Sequence, residues 1–308
     1  MKAVQYLAFG KSDVIQLAEV NKPVISNENE VLIKVIATAV NPLDIKIRMG
    51  FMEKMYPITF PFTPGSEASG IVEAVGKNVT RLKVGDEVVA STMGGGSYAE
   101  YVLVKEDNVA LKPNTVSFEE ATSLVVAIGT TQSVLVDVAQ IQQGQRLFIQ
   151  GASGAVGSAM IQMAKAMGVY VIGTASGKGI DIIKNLGIDE AIDYKNQDFT
   201  ALVKNVDVVV DCAGGPSQAK LFEVLKKGGK LLSITMPPSA ELAQQFEVEA
   251  RFVSSNLSHK NLAFGLQLVE QGKLKPAISQ KFTLNEAAKA QDAVSAGGVN
   301  GKIVILVG

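Results

Sequence analysis

The sequence predicts an α/β protein in which a doubly wound parallel sheet is joined to a second, β-rich part. Three observations carry that prediction. A strand, a glycine-rich turn and a helix follow one another over residues 146–168. Strand-like and helix-like segments then alternate as far as Gln271, the pattern of a parallel sheet covered on both faces. Before Ser117, short strand-like runs are separated by frequent turns, as in a compact β barrel or sandwich.

Residues 1–6 read as a strand, and so do 30–37, 70–75, 84–90 and 98–104, the last after Gly94-Gly95-Gly96. Ser117-Phe118-Glu119-Glu120 has the form of a capping box, and an apolar helical segment is expected from it through Val134. Leu147, Phe148 and Ile149 make a buried strand, and residues 158–168 carry apolar side chains at helical spacing until a glycine stops them. Further strands are expected at 169–174, 190–194, 206–211, 230–234 and 251–254, with helices around 179–186, 217–225 and 260–271. A last helix (285–295) and strand (302–307) are too short to stand alone and are expected to return to the N-terminal part. The expected division is therefore 1–120 with 276–308 for the β-rich domain, and 121–275 for the doubly wound domain.

Length and composition agree with two such domains, since 308 residues suit units of about 150. A net charge of -1 and the lack of a basic cluster argue against a nucleic-acid partner. No uninterrupted apolar run approaches the roughly 18 residues of a membrane span. With a strand-like start, no signal peptide is expected, and the single cysteine, Cys212, fits a reducing cytoplasm. One cysteine and one histidine, His259, make a poor zinc site, so no metal is expected. A serine-based charge relay is also excluded, because no serine lies in a Gly-x-Ser-x-Gly elbow.

The glycine turn, Gly151-Ala152-Ser153-Gly154-Ala155-Val156-Gly157, sits where a dinucleotide fold begins. Gly154 lets the backbone approach a pyrophosphate, Gly157 lets helix and strand close together, and the helix N-terminus offers free N–H groups. The alternative is a tightly packed helix start with no ligand. Folds that select NAD place a carboxylate about 20 residues after the turn. Here the second strand ends Gly173-Thr174-Ala175-Ser176-Gly177-Lys178, and no acidic residue lies between Ser158 and Ile180. Ser176 can donate a hydrogen bond to a 2′-phosphate and Lys178 can supply charge, which favours NADP; otherwise Lys178 is a solvated lysine. Phe51, Met52, Met55, Phe60 and Phe62 either line an apolar substrate mouth as a lid or belong to the core. Asn41 starts an Asn-Pro turn or orients a ligand through its amide, and Asp44 and Arg48 are spaced to pair along one helix face.

The whole chain resembles the zinc-independent quinone oxidoreductases of the medium-chain dehydrogenase/reductase superfamily, the group that includes zeta-crystallin. The match rests on Asn41-Pro42-Leu43-Asp44-Ile45-Lys46-Ile47-Arg48-Met49-Gly50, which fits Asn-x-x-Asp-x-x-x-Arg-x-Gly, and on Pro64-Gly65-Ser66-Glu67-Ala68-Ser69-Gly70-Ile71-Val72. It rests also on Gly129-Thr130, the glycine turn, and Gly301-Lys302-Ile303-Val304. The resemblance implies a Rossmann domain beside a GroES-like domain, NADP(H) as cofactor, and a homodimer formed by pairing of sheet edges. It implies that Asn41, Asp44 and Thr130 lie near the nicotinamide, Gly151, Ala152, Gly154, Ala155, Val156 and Gly157 near the pyrophosphate, and Thr174, Ser176, Lys178 and Tyr194 around the adenosine end. Zinc-binding members carry a cysteine at the position of Asn41 and a histidine at that of Ser66. Tyr56 aligns with a tyrosine of the substrate cleft, and Lys46 replaces a common aromatic. The implied activity is hydride transfer to a quinone or related electron-poor carbonyl, with Asn41, Thr130, Tyr56 and Lys46 as candidates to hydrogen-bond the carbonyl oxygen. An enone or alkenal reductase, an enoyl-thioester reductase and a non-catalytic NADPH-binding protein are the alternatives.

Overall fold

Described from Met1 to Gly308 in a computed structural model, the chain begins with an antiparallel pair, β1 (Lys2–Tyr6) and β2 (Ile15–Glu19), in which Lys2 faces Glu19. There follow β3 (Glu30–Val40), α1 (Pro42–Arg48), β4 (Glu67–Val75), β5 (Glu87–Ser91), β6 (Tyr101–Lys105) and β7 (Val109–Leu111). Next comes α2 (Phe118–Thr122), with its expected capping box: Ser117 Oγ accepts from Glu120 N at 3.2 Å, and the Glu120 carboxylate accepts from Ser117 N at 2.9 Å. The single helix expected through Val134 is broken. α3 (Val125–Gln132) starts afresh and passes into wider π turns over Ser133–Val138. Two serines explain the interruptions, because Ser123 Oγ donates to Glu120 O and Ser133 Oγ to Gly129 O, competing for helical carbonyls. The stretch Phe118–Val138 is apolar and long enough to cross a membrane by composition, but 72% of its apolar window is buried inside the protein.

The chain continues through β8 (Arg146–Gln150), α4 (Ala155–Ala166), β9 (Tyr170–Ala175), α5 (Lys178–Asn185), β10 (Glu190–Asp193), α6 (Phe199–Leu202) and β11 (Val206–Asp211). It ends with β12 (Leu225–Ser233), α7 (Ala240–Gln245), β13 (Glu249–Phe252), α8 (His259–Glu270), β14 (Ile278–Thr283), α9 (Ala287–Ser295) and β15 (Lys302–Leu306). The helix expected at 217–225 is a 3₁₀ helix, Pro216–Val224, entered through Gly214 and Gly215 at positive φ.

Two units are distinguished. The first comprises Met1–Val126, Leu257–Glu270 and Pro276–Gly308, and the second Ala127–Asn256 with Gln271–Lys275. α8 therefore belongs to the first unit, although sequence patterning assigns it to the nucleotide-binding part. The first unit holds a seven-stranded sheet, ordered β14-β15-β3-β4-β5-β7, with β6 also paired to β3. Only β14 and β15 are parallel; the C-terminal strand returns antiparallel to β3, with Ile303 opposite Val40. Alternate residues such as Val31, Ile33 and Val35 turn into a core with Val72, Val88, Val102 and Ile305.

The second unit is an all-parallel sheet ordered β10-β9-β8-β11-β12-β13. Numbered from β8, this is the 3-2-1-4-5-6 arrangement of a dinucleotide fold, and the chain reverses direction between β8 and β11. Both faces are covered. Leu147 and Ile149 pack on the α4 side, while Phe148 packs on the other with Phe199, Leu221 and Phe222. Removing the buried Phe148 ring would cost about 3–5 kcal/mol.

Candidate active site

In the second unit the turn from β8 to α4 begins with Gly151 at φ +79°, a conformation that glycine adopts freely. Its N–H reaches Thr174 Oγ1 at 3.3 Å, and Ala152 N reaches Thr174 O at 2.9 Å. Thr174 thus holds the turn from the neighbouring strand. A Cβ added at Gly157 would lie 2.5 Å from Gly151 O and 2.7 Å from Ala152 Cα, so only glycine lets α4 approach β8 this closely. At Gly154 the nearest atom is 3.5 Å away, leaving open room above the turn. The first-turn N–H groups of Ala155, Val156 and Gly157 have no intrahelical acceptor. The arrangement suits an anion of diphosphate size.

Beyond the next strand, Ser176 Oγ donates to Tyr194 OH at 3.1 Å. Tyr194 is half exposed, and Lys178 is exposed at the first position of α5. Ser176 and Tyr194 are thus drawn together, and Lys178 follows Ser176 by two residues in the sequence. Sequence reasoning missed Asp211, which is fully buried where β11 ends, next to the switch point. Its carboxylate accepts from Ala213 N, Gly214 N, Gln218 Nε2, Ser233 Oγ and Thr235 Oγ1, at 2.6–3.1 Å. It ties two strand-end loops together. Cys212 follows it, and burial with the Asp211 carboxylate pushes the thiol pKa up, so the thiol stays protonated. Thr130 Oγ1 and Ser255 Oγ lie 2.8 Å apart; one proton joins them, and the other remains to be donated elsewhere.

In the first unit the residues of α1 reach inward. Asp44 is completely buried and accepts from Asn41 N (2.8 Å), Ser66 Oγ (3.1 Å) and Tyr98 OH (3.1 Å). Burial pushes its carboxyl up to about 6, against the opposing pull of those donors and of Lys302. The expected Asp44–Arg48 pair does not form. Arg48 instead donates to Gln291 Oε1 at 2.7 Å and to Gly10 O, because α1 turns both residues into the interior against different partners. Gln291 in turn donates to Tyr6 OH, and the Tyr6 hydroxyl to Asp44 O. Burial first, and then the Asp44 charge, raise both tyrosine hydroxyls well above their usual range.

The Asn41 side chain does not cap α1. Its Nδ2 donates to Glu67 Oε1 at 2.9 Å, and its Oδ1 accepts from Lys302 Nζ. Glu67 and Lys302, 0% and 4% exposed, pair at 2.6 Å. A charged residue at the start of each of two apolar strands was the available sequence signal for this pair. Lys46 is half-buried in the last turn of α1. Tyr56 is half-buried, with its ring beside Gly94. Phe51, Met55 and Phe60 are exposed rather than core, while Met52 and Phe62 are half-buried.

Residues 27–114 match the family described as alcohol dehydrogenase GroES-like domain, and residues 186–305 the one described as zinc-binding dehydrogenase. The chain is 33% identical to a chloroplastic quinone-oxidoreductase homolog of Spinacia oleracea, over 99% of this chain and 98% of that protein. It is 36% identical to a 2-methylene-furan-3-one reductase of Solanum lycopersicum, over 99% of this chain and 79% of that protein. The structure of the quinone oxidoreductase from Coxiella burnetii superimposes with a TM-score of 0.92 at 33% identity, covering 100% of this chain and 99% of that one.

Proposed function

Because the chain belongs to the quinone oxidoreductase family of the medium-chain dehydrogenase/reductase superfamily, we propose that it is a zinc-independent reductase that uses NADPH to reduce a quinone or related electron-poor carbonyl compound. The observation that carries this reading is the open glycine cradle over the α4 N-terminus, followed by Ser176 and Lys178 after β9 and Tyr194 after β10, with no carboxylate among the three. The cradle from Gly151 to Gly157 takes the diphosphate on backbone N–H groups, and the serine, tyrosine and lysine take the adenosine 2′-phosphate.

NADPH, when bound, supplies a hydride from its nicotinamide C4. The protein's part is to hold donor and acceptor about 3–3.5 Å apart and to meet the negative charge that grows on the acceptor oxygen. The spare hydroxyl proton of the Thr130–Ser255 pair serves that second purpose. Lys46 and Tyr56, which the family resemblance offers as further donors, lie in the first unit. Asn41 has most of its amide engaged with Glu67 and Lys302, so its part is orientation rather than proton supply. Zinc independence is supported by donor chemistry: Asn41 and Ser66, where zinc-binding relatives have cysteine and histidine, are linked through Asp44, and no group of three His, Cys, Asp or Glu is placed to hold a metal. A homodimer paired through the edge strand β13 belongs to the same reading.

Reduction of an enone double bond is the second reading, favoured by the 36% identity to the tomato reductase. The test is steady-state NADPH oxidation by purified protein against quinones, enones and alkenals. Quinones should give the largest kcat/KM. No turnover with any acceptor would leave only a nucleotide-binding role.

A further inference from the structure

We propose that Glu67 and Lys302 act as one positioning device for Asn41, fixing which way its amide faces; the inference rests on the reductase reading above. The three side chains close a ring of hydrogen bonds. Lys302 Nζ donates to Asn41 Oδ1 at 2.5 Å and to Glu67 Oε1 at 2.6 Å, and Asn41 Nδ2 donates to that same carboxylate oxygen at 2.9 Å. The other Glu67 oxygen accepts from Val126 N at 2.8 Å, so the carboxylate cannot rotate away without losing a backbone partner. Sheet pairing delivers the three groups. Asn41 follows β3, Glu67 opens β4 and Lys302 opens β15, and β3 lies between the other two.

An isolated asparagine amide has two orientations of similar energy. Inside this ring it has one. Turning the amide over would press its NH₂ against the Lys302 ammonium and its oxygen against the Glu67 carboxylate, two repulsive contacts in a site closed to water. What Asn41 can still offer a ligand is one lone pair on Oδ1 and a second Nδ2 hydrogen, which is held only by a long 3.5 Å contact to Ala39 O. The ring decides where those two point. A purely structural role accounts poorly for the charges, since apolar side chains of similar volume commonly replace a buried ion pair without loss of stability.

The test is a mutant cycle on the full-length protein, with NADPH and a quinone. Lys302→Met alone strands a buried carboxylate and is expected to fold poorly, so the variant to read is the charge-balanced pair Lys302→Met with Glu67→Gln. Its NADPH dissociation constant, by fluorescence titration, should stay within about twofold of wild type, while kcat falls about tenfold. Asn41→Ala should lose a similar factor, and the triple variant no more than either. Independently of activity, the Asn41 side-chain amide protons should exchange slowly in wild type and rapidly in the balanced pair, as followed by NMR. An unchanged kcat in the balanced pair, losses that multiply in the triple variant, or slow exchange in both proteins would overturn the inference. Wild-type protein that binds no NADPH would instead refute the reductase reading, and the exchange measurement would still decide this one.

Discussion

Gly154 and Gly157 lie three residues apart in one turn, and an added methyl group should affect them through different terms. At Gly157 an alanine Cβ would sit 2.5 Å from Gly151 O and 2.7 and 2.8 Å from Ala152 Cα and C. Unstrained contacts begin near 3.5 Å, so the overlap is about 0.7–1 Å, against backbone atoms that cannot swing aside. Overpacking costs about 1–3 kcal/mol, and a clash with rigid backbone falls at the upper end, about 2–3 kcal/mol. Removing a glycine from a helix returns about 1 kcal/mol, for a net loss of about 1–2 kcal/mol. Gly157→Ala should therefore lower the melting temperature by about 2–8 °C, at roughly 2–4 °C per kcal/mol for a unit of this size. At Gly154 the nearest atom is 3.5 Å away and φ is already -71°, so alanine fits the protein. Its methyl group would instead occupy the space above the α4 N–H groups. Gly154→Ala should melt as wild type does, yet bind NADPH about tenfold or more weakly, a loss of roughly 1.4 kcal/mol. Differential scanning fluorimetry and NADPH fluorescence titration separate the two effects. Wild-type affinity in Gly154→Ala, or a wild-type melting temperature in Gly157→Ala, would refute this account of the turn.

Asp44 gives a pH prediction. Burial raises its folded pKa to about 6 from an ordinary value near 3.8, so between those values the folded chain holds more proton than the unfolded one. The favourable contribution of this group is present below about pH 4 and is lost as pH rises through about 6, a swing of order 3 kcal/mol. Asp44→Asn cannot titrate; its melting temperature relative to wild type should rise from pH 4 to pH 7, and parallel profiles would contradict the assignment. Lys178→Ala combined with Ser176→Ala should weaken NADPH binding by about tenfold or more and leave NADH nearly unchanged, as calorimetry with both coenzymes would register. Cys212, half-buried and with its thiol pKa raised, should react with a disulfide reagent far more slowly in native than in unfolded protein; equal labelling rates would show its surroundings to be misjudged.

The parts of this fold legible in the sequence were those set by local chemistry. Periodicity located β8, α4 and β11, the Ser117 capping box appears as read, and Val206–Asp211 has the expected bounds. Glycine spacing located the turn between β8 and α4, and Ser176 and Tyr194 do come together. Misreadings arose where distant contacts outweigh local preference. The helix after Ser117 is interrupted by serine hydroxyls that take helical carbonyls. Asp44 and Arg48 have the spacing of a helix pair, but that spacing cannot tell that both face the interior, where Tyr98 and Gln291 satisfy them separately. Lys302 lies 261 residues from Asn41, and only the pairing of β15 with β3 brings the two together.

The central claim, hydride transfer from an NADPH whose diphosphate rests on the glycine cradle, is tested most directly by single turnover. Enzyme loaded with NADPH, or with NADPH deuterated at the transferred C4 position, is mixed with excess quinone while nicotinamide absorbance is followed. The account predicts rapid loss of absorbance, slower with the deuterated cofactor, and deuterium-free oxidised cofactor at the end. Retained absorbance, or decay at the same rate with both cofactors and with deuterium still on the ring, would contradict it.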